Sequence, residues 1–344
     1  MKCLIDNVRI KAIATCLPEK SFEMDNLRNG YDEKTVETTL KATGILRTHQ
    51  ADENVTTSDL CYKAAELLFD KGVIDRAMID GVVFVSQTFD YLDPATSVVL
   101  QHKLGLSQET VCFDISYGCS GYIYGLFQAC VLIKSGACKN VLLMAGDTNS
   151  KMMDMTNLSK RMVFGDAGSA SIISAGDSSI GFHICSNGGG ADVVMNASGG
   201  FRNWPANKKT MISDNTNNGD DVFSFIVSCG PKTIKTMLEF MGWDKDEVDF
   251  YGLHQATRIT IDYMRKKLKI AEEKTPFGIR NYGNTGPTTV PLILTDYPNG
   301  HTAIDTSRWH KVILAAYGVG LSWGSVACDL SQTKLFKPIN QDLR

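Results

Sequence analysis

The sequence predicts an α/β protein built from two similar halves. Short apolar runs of strand length alternate with segments whose apolar residues recur at helical spacing, which is typical of mixed sheets covered by helices. One order of strands, turns and helices occurs twice along the chain. We therefore expect an internal pseudo-twofold that relates residues 1–178 to residues 179–344. The length of 344 residues suffices for one large or two fused domains.

The first half is predicted to begin and end with strands. Apolar runs indicate an N-terminal strand in KCLIDNVRIKAIATCLP and further strands at 81–88, 111–116, 140–148 and 169–175. Helical spacing predicts a helix over 95–104. A second, amphipathic helix is expected to follow the turn Gly118–Gly121, with apolar residues at Ile123, Leu126, Phe127 and Cys130.

The second half repeats this order. A strand and turn at 248–257 precede a basic helix at 258–269, and strands at 311–320 and 322–330 close the unit. The stretch 280–297 takes the place of the strand, turn and helix that contain Cys119. Cys119 and Asn284 are thus predicted at equivalent turns, with His254 at the end of a core strand. One pocket between the halves would then hold all three side chains.

Composition and charge exclude several classes of protein. The 43% hydrophobic and 21% charged content is that of an ordinary globular chain, and a net charge of −3 does not favour nucleic-acid or membrane partners. The N-terminal segment is interrupted by Asp6, Arg9 and Lys11, so we expect no signal peptide, and no apolar run reaches the length of a transmembrane helix. The ten cysteines show neither CxxC nor zinc spacing. A cytoplasmic protein without a metal is expected.

Cys119 is the candidate nucleophile. It lies at the N-terminus of a predicted helix, where free N–H groups and the helix dipole favour a thiolate. Its small neighbours leave room for a substrate carbonyl. A cysteine taken alone is more often a buried structural residue. Separate His and Asn residues elsewhere in the chain favour a catalytic cysteine instead, because they complete a known nucleophile pattern.

Five ordered motifs resemble those of β-ketoacyl-acyl-carrier-protein synthase III, in the thiolase-like superfamily. They are DISYGCSGYIYGL around Cys119, FGDAGSA (164–170), LHQATRI around His254, NYGNTG around Asn284 and AAYGVGLSWG (315–324). The resemblance extends along essentially the whole chain. It implies a thiolase-like fold, in which two pseudo-twofold halves stack mixed sheets and helices in layers, and it implies a homodimer.

The resemblance also implies a reaction. Cys119 would take an acyl group from a thioester carried by CoA or by the phosphopantetheine of acyl carrier protein, and no permanently bound cofactor is expected. Malonyl carrier protein would then lose CO2, and its carbanion would attack the acyl group. His254 and Asn284 would stabilise the developing oxyanion, and the backbone N–H groups of Cys119 and Val319 would form a second oxyanion hole.

Departures from the family pattern favour a specialised branch, in lipid or secondary metabolism, over the initiation of fatty-acid synthesis. Thr38 and Ala42 replace the Trp and Arg that usually hold the adenine of CoA, so an acetyl-CoA starter is less expected. Thr257 replaces a common Asn after HQA. Asp93 stands where the family often has an apolar residue that lines the acyl pocket across the dimer interface.

Two surface features have alternative interpretations. The basic helix after His254 is either a solvated face or a docking surface for an acidic acyl carrier protein; its cations are Arg258, Arg265, Lys266, Lys267 and Lys269. The segment 187–220 is rich in Gly, Asn and Asp, and is either a cover over the pocket or a surface loop.

Three other functions fit parts of the sequence. Acyl transfer to an amine, hydroxyl or carrier without decarboxylation would use Cys119 but has no need of Asn284. A non-catalytic synthase partner subunit has no need of an intact set of Cys119, His254 and Asn284. The GxSxG run at Gly320–Gly324 matches a hydrolase elbow, but a strand instead of a helix is predicted after it, and no histidine follows Ser322.

Overall fold

Strands and helices alternate along the chain as the sequence predicts. The structure, a computed structural model, describes residues 1–196, 201–202, 219–296 and 305–341. The strands are β1 (Lys2–Pro18), β2 (Ser21–Glu23), β3 (Arg47–His49), β4 (Gly81–Ser86), β5 (Val111–Ser116), β6 (Asn140–Asp147), β7 (Ala167–Ser186), β8 (Phe250–Leu253), β9 (Val312–Gly318), β10 (Ser322–Cys328), β11 (Lys334–Leu335) and β12 (Ile339–Gln341). The α-helices are α1 (Glu33–Thr43), α2 (Thr57–Asp70), α3 (Thr96–Lys103), α4 (Gly121–Lys134), α5 (Asn149–Met152), α6 (Leu158–Arg161), α7 (Gly219–Met241), α8 (Arg258–Leu268) and α9 (Thr289–Thr295).

One continuous sheet passes through both halves, with the strand order β5-β4-β6-β7-β10-β9-β8. The long strand β7 joins the halves, because its first part pairs with β6 and its last part pairs with β10. Strand β1 runs antiparallel along the other edge of β7, and β11 and β12 add to β1.

The pairing repeats between the halves, as expected for an internal pseudo-twofold. In the first half β4 is parallel to β6, and β6 is antiparallel to β7. In the second half β8 is parallel to β9, and β9 is antiparallel to β10. The proposed boundary at 178/179 falls inside β7, between its two differently paired parts.

Helix α4 is more deeply buried than its amphipathic pattern alone indicates. It packs against β4, β6 and β9, which come from both halves, and eight of its residues are buried. Gly121 and Gly125 allow this approach, since a Cβ at either position would lie 2.6 Å from a methyl carbon of Val85. The predicted apolar positions Ile123, Leu126 and Cys130 are inside, and the tertiary structure covers further residues of the helix as well.

The described residues contain no helix long and apolar enough to cross a membrane. All ten cysteines are free thiols, and six of them are buried. In the described part of the chain, no three His, Cys, Asp or Glu side chains lie close enough together to hold a metal ion.

Candidate active site

Cys119 lies in the turn between β5 and α4, which has the predicted sequence order. The end of β9 packs directly against it, and a Cβ at Gly318 would lie 2.7 Å from the Cβ of Cys119. Glycine at 318 is therefore needed for the close approach of this strand end. On the other side, Gly118 is packed by Gln87, whose carboxamide oxygen occupies the place of a Gly118 side chain.

His254 follows directly after the last residue of β8 and is 1% exposed. Its backbone N–H donates to the Ala315 carbonyl, and its ring lies edge-on to Tyr317. The imidazole Nδ1 lies 2.5 Å from the hydroxyl oxygen of Thr289, which is the first residue of α9. Burial lowers the pKa of His254 to about 3, so the imidazole is neutral at physiological pH.

Asn284 is held on both its backbone and its side chain. Its N–H donates to the Val163 carbonyl, and its carbonyl accepts from Gly165. The side-chain Oδ1 accepts from the N–H of Gly286 at 3.0 Å. The other amide atom, Nδ2, carries two N–H donors; the side chain hydrogen-bonds the Cys119 thiol, which leaves one N–H for a ligand.

Cys119, His254 and Asn284 line one pocket of about 740 Å³ that also receives residues from both halves. The geometric part of the sequence prediction thus holds, since the two turns and the end of β8 converge. The remaining wall is mostly apolar, with several amides; it comprises Gln87, Asn149, Met152, Met153, Phe164, Val194, Asn196, Val222, Phe225, Ile226, Ala256, Gly286, Tyr317, Gly318 and Val319.

The thiol of Cys119 does not rest as the thiolate that its helix-terminal position predicts. Burial raises its pKa to about 12, the Asp147 carboxylate adds to that shift, and the Asn284 amide opposes it through a hydrogen bond. Desolvation outweighs the helix N-terminus because it penalises the charged form most strongly. The proton of Cys119 must therefore leave as the sulfur attacks.

The Gly318–Val319 turn lies beside Cys119, and its part in a second oxyanion hole stays a prediction. The hydroxyl of Ser322 bonds to Ser120, next to Cys119, and to the Val319 carbonyl. Ser322 is 1% exposed and is the first residue of β10, so it ties the two turns together and the hydrolase elbow is excluded.

The predicted docking residues separate into two groups. Lys266, Lys267 and Lys269 are exposed. Arg265 donates to the Thr275 carbonyl and pairs with Asp262 and Glu272, and its side chain is 11% exposed. It is occupied inside the fold, which corrects the prediction for this residue. Arg258 stacks on the ring of Phe277 at 4.7 Å.

The remaining predicted features lie at the margin of the site. Asp93 is exposed in the loop between β4 and α3 and does not line the pocket, so its place across a dimer interface stays a prediction. Within 187–220, Val194 and Asn196 contribute to the pocket wall. Residues 197–200 and 203–218 lie outside the described residues, so the expected cover is not tested.

Sequence reasoning missed three groups at the site: Gln87, Asn149 and Thr289. None belongs to a motif with a polar signature. Gln87 follows β4 as His254 follows β8, so the internal repeat was the one signal that pointed to it. Lys160 was also missed; it lines a cleft that continues from the pocket past Asn284 and Ala256 to the start of α8.

Two halves with repeated topology, and a Cys, His and Asn set between them, define a thiolase-fold condensing enzyme of the acyltransferase class. The family model for 3-oxoacyl-[acyl-carrier-protein] synthase III matches residues 113–188, and the model for its C-terminal part matches 238–330. The chain belongs to this family.

Similarity to individual relatives spans the chain. A beta-ketoacyl-[acyl-carrier-protein] synthase III of Campylobacter curvus is 32% identical over 324 residues, covering 91% of this chain and 94% of the relative. One from Natranaerobius thermophilus is 30% identical over 337 residues, covering 93% and 98%. The crystal structure of a 3-oxoacyl-(acyl-carrier protein) synthase from Burkholderia xenovorans superposes with a TM-score of 0.91 at 32% identity, covering 99% of each chain.

Proposed function

We propose that this enzyme condenses an acyl group held on Cys119 with a malonyl group on acyl carrier protein, with loss of CO2. The observation that carries the proposal is the convergence of Cys119, His254 and Asn284 on one pocket. A thiol supplies the nucleophile, and two neutral hydrogen-bonding groups face it. Simple acyl transfer forms no carbanion, so it has no need of His254 and Asn284.

In the first half-reaction the Cys119 sulfur attacks the thioester carbonyl of the donor, forms the new thioester and expels the donor thiol, which takes up the proton. The backbone N–H groups of Cys119 and Val319 are proposed to bind the oxyanion of the tetrahedral intermediate. In support, neither N–H donates to another backbone group within the described residues.

In the second half-reaction the malonyl carboxylate leaves as CO2, and the electron pair passes to the neighbouring thioester carbonyl as an enolate. His254 Nε2 and Asn284 Nδ2 are proposed to donate to that oxygen. The enolate carbon then attacks the acyl carbonyl, and the C–C bond forms as the Cys119 thiolate leaves. A neutral imidazole suits this role, and the lowered pKa of His254 supports it.

The test is intact-protein mass spectrometry after incubation with acyl thioesters, followed by addition of malonyl carrier protein. We expect a covalent acyl adduct that the Cys119→Ala variant lacks, and then its loss with release of CO2 and a β-ketoacyl product. Loss of the adduct to an amine or alcohol without CO2 would support the transfer reaction instead. A Cys119 that no donor acylates and iodoacetamide does not alkylate would identify a non-catalytic partner subunit.

We propose that the acyl donor is a carrier protein, not CoA. Thr38 and Ala42, which stand in place of the adenine-binding pair, offer neither an aromatic face nor a cation. The Thr38 hydroxyl donates to the Lys34 carbonyl inside its own helix. We expect acylation of Cys119 by acyl carrier protein to exceed acylation by the matching acyl-CoA at equal concentration. Equal rates would contradict this proposal.

The proposed carrier docking surface consists of Lys266 and Lys267 in the last turn of α8, Lys269 directly after it, and Lys160 at the cleft that leads to Asn284. Opposite charge mainly accelerates association and is screened by salt. Charge reversal of Lys266, Lys267 and Lys269 should raise the KM for malonyl carrier protein several-fold and leave that for malonyl pantetheine unchanged. Reversal of Lys71, Lys134 and Lys139, which are equally exposed but lie outside α8 and its C-terminus, is the matched control.

We propose a homodimer that forms along β5. This strand is the last of the main sheet order, so one of its edges has no partner strand among the described residues. Phe113 on β5 is 40% exposed, and Tyr91 and Leu92 are exposed as well. Phe113→Lys should shift the mass measured by light scattering from dimer to monomer, whereas Val131→Lys, on the exposed part of α4, should not.

A further inference from the structure

One side of the active-site pocket carries polar groups that the proposed reaction does not use. The side chain of Gln87 lies against Gly118, immediately before the nucleophile, and lines the pocket. Its carboxamide makes no hydrogen bond to any described residue, whereas its backbone N–H donates to Asp147. A half-buried carboxamide with no internal partner has two donors and one acceptor to offer a ligand.

Asn149 adds an acceptor on the same side. It is 2% exposed and lines the pocket; its Nδ2 donates to the Gly165 carbonyl, and its Oδ1 has no partner among the described residues. Polar groups this far from bulk water are normally hydrogen-bonded, so a ligand group that donates to Oδ1 is favoured here.

The position of these groups separates the acyl side of the pocket from its entrance. The cleft lined by Lys160 and Thr257 shares Phe164, Ala256 and Asn284 with the pocket, which makes it the proposed path for a pantetheine arm. A second cleft shares Gln87, Met152 and Asn196 with the pocket. With the arm in the first cleft, the side of the pocket that carries Gln87 is the space left for an acyl group on Cys119.

We infer that Gln87 and Asn149 form a subsite for a hydroxylated acyl chain, so that the acyl group carried by Cys119 is a hydroxyacyl group. A hydroxyl both donates and accepts, which matches the acceptor Oδ1 of Asn149 and the donor Nε2 of Gln87. A plain alkyl chain would leave both groups without partners, and such a site discriminates against it. This inference rests on the proposed acylation of Cys119.

The experiment is a competition for Cys119 between paired pantetheine thioesters, which need no carrier or CoA contact. Butanoyl pantetheine is mixed in equal amount with its 2-, 3- or 4-hydroxy derivative in turn. The ratio of the two adducts is read by intact-protein mass spectrometry, since they differ by one oxygen. We expect at least one hydroxyacyl group to be favoured by about tenfold or more, the effect of one or two hydrogen bonds.

The Gln87→Met variant should bring that ratio close to one, because it keeps the size of the side chain and removes its polar atoms. Gln87 is the preferred position, since Asn149 also holds the Gly165 carbonyl. Met152→Leu changes the apolar wall of the same pocket and should keep the wild-type ratio. A ratio near one in the wild type, or an unchanged ratio in Gln87→Met, overturns the subsite while Cys119 is still acylated. Absence of every adduct overturns the proposed function with it.

Discussion

The two turns that face each other across the pocket have the same place in the repeat but different construction. The Cys119 turn stands between a six-residue strand and a 14-residue helix, α4. At the corresponding place, Asn284 has only an isolated bridge to Phe164, a 3₁₀ turn and the seven-residue α9. The first turn presents a nucleophile, and the second presents an amide.

This difference shows how a repeated scaffold yields a site whose halves do different chemistry. The long helix and complete strand hold Cys119 in a buried turn, where burial keeps the thiol protonated. The shorter second turn allows Asn284 to be fixed by Val163, Gly165 and Gly286, with one amide direction left for a ligand. We expect the first half to bear the covalent step and the second to stabilise charge.

The ends of the strands β4 and β8 extend this comparison. Each is followed at once by a polar residue that lines the pocket, Gln87 in the first half and His254 in the second. His254 is fixed by Thr289, whereas the Gln87 carboxamide has no partner among the described residues. A fixed side chain such as His254 suits the reaction step that all substrates share. The unpartnered carboxamide of Gln87 suits the recognition of one particular substrate.

Replacing Cys119 should have the largest effect, because it should abolish the activity assigned to the first half and preserve the activity assigned to the second. We expect Cys119→Ala to lower the rate of condensation by at least about 10⁴-fold, the scale seen when a nucleophile is removed. Malonyl decarboxylation, which we assign to the second half, should persist. Release of CO2 from malonyl carrier protein measures the second activity; its complete loss in a folded variant would show that the two turns do not act separately.

Replacing Asn284 is expected to impair the second half-reaction and to spare the first. Asn284→Ala should slow condensation by about 100- to 1000-fold, because one donor to the developing oxyanion is lost. Acylation of Cys119, followed in a single turnover by mass spectrometry, should change far less. If both steps fell equally, Asn284 would belong to the nucleophile's environment and not to the second half-reaction.

Thr289 tests how precisely the second half is positioned. Its hydroxyl lies within bonding distance of both His254 Nδ1 and the Gly286 carbonyl. The hydroxyl has a single proton, so a bond donated to Nδ1 replaces the one donated to Gly286; the imidazole then carries its own proton on Nε2, as the proposed oxyanion hole requires. Thr289→Val, which keeps the shape, should reduce kcat about tenfold, and Thr289→Ser should restore it. A serine variant as slow as the valine variant would indicate a packing role.

The last prediction concerns stability and the buried carboxyl group of Asp147. Burial raises the pKa of Asp147 to about 7, and its Oδ2 has no partner within the described residues. Between about pH 4 and 7 the unfolded chain ionises this group while the folded chain does not, so stability is lost as pH rises, by about 1 kcal/mol per pH unit. Urea unfolding should show that the free energy of unfolding of Asp147→Asn rises relative to that of the wild type as the pH increases across this range. The same pH dependence in both proteins would contradict the raised pKa of Asp147.

Much of this protein was determined by its sequence alone. The apolar runs located β4, β5, β6, β9 and β10 to within two residues, and their repeated order indicated the two halves. Cys119, His254 and Asn284 were found because motifs mark them and because strands of equivalent register end at one side of a sheet. These features depend on local sequence pattern.

Other features depend on which surfaces meet, and only the tertiary structure decided them. The burial of α4, the protonated Cys119 thiol and the internal pairing of Arg265 all result from contacts between segments far apart in the chain. The partners of Gln87, Asn149 and Thr289 could not be predicted for the same reason, since a lone polar residue carries no periodic signal. Whether such a group is bound within the fold or left for a ligand depends on its neighbours in space.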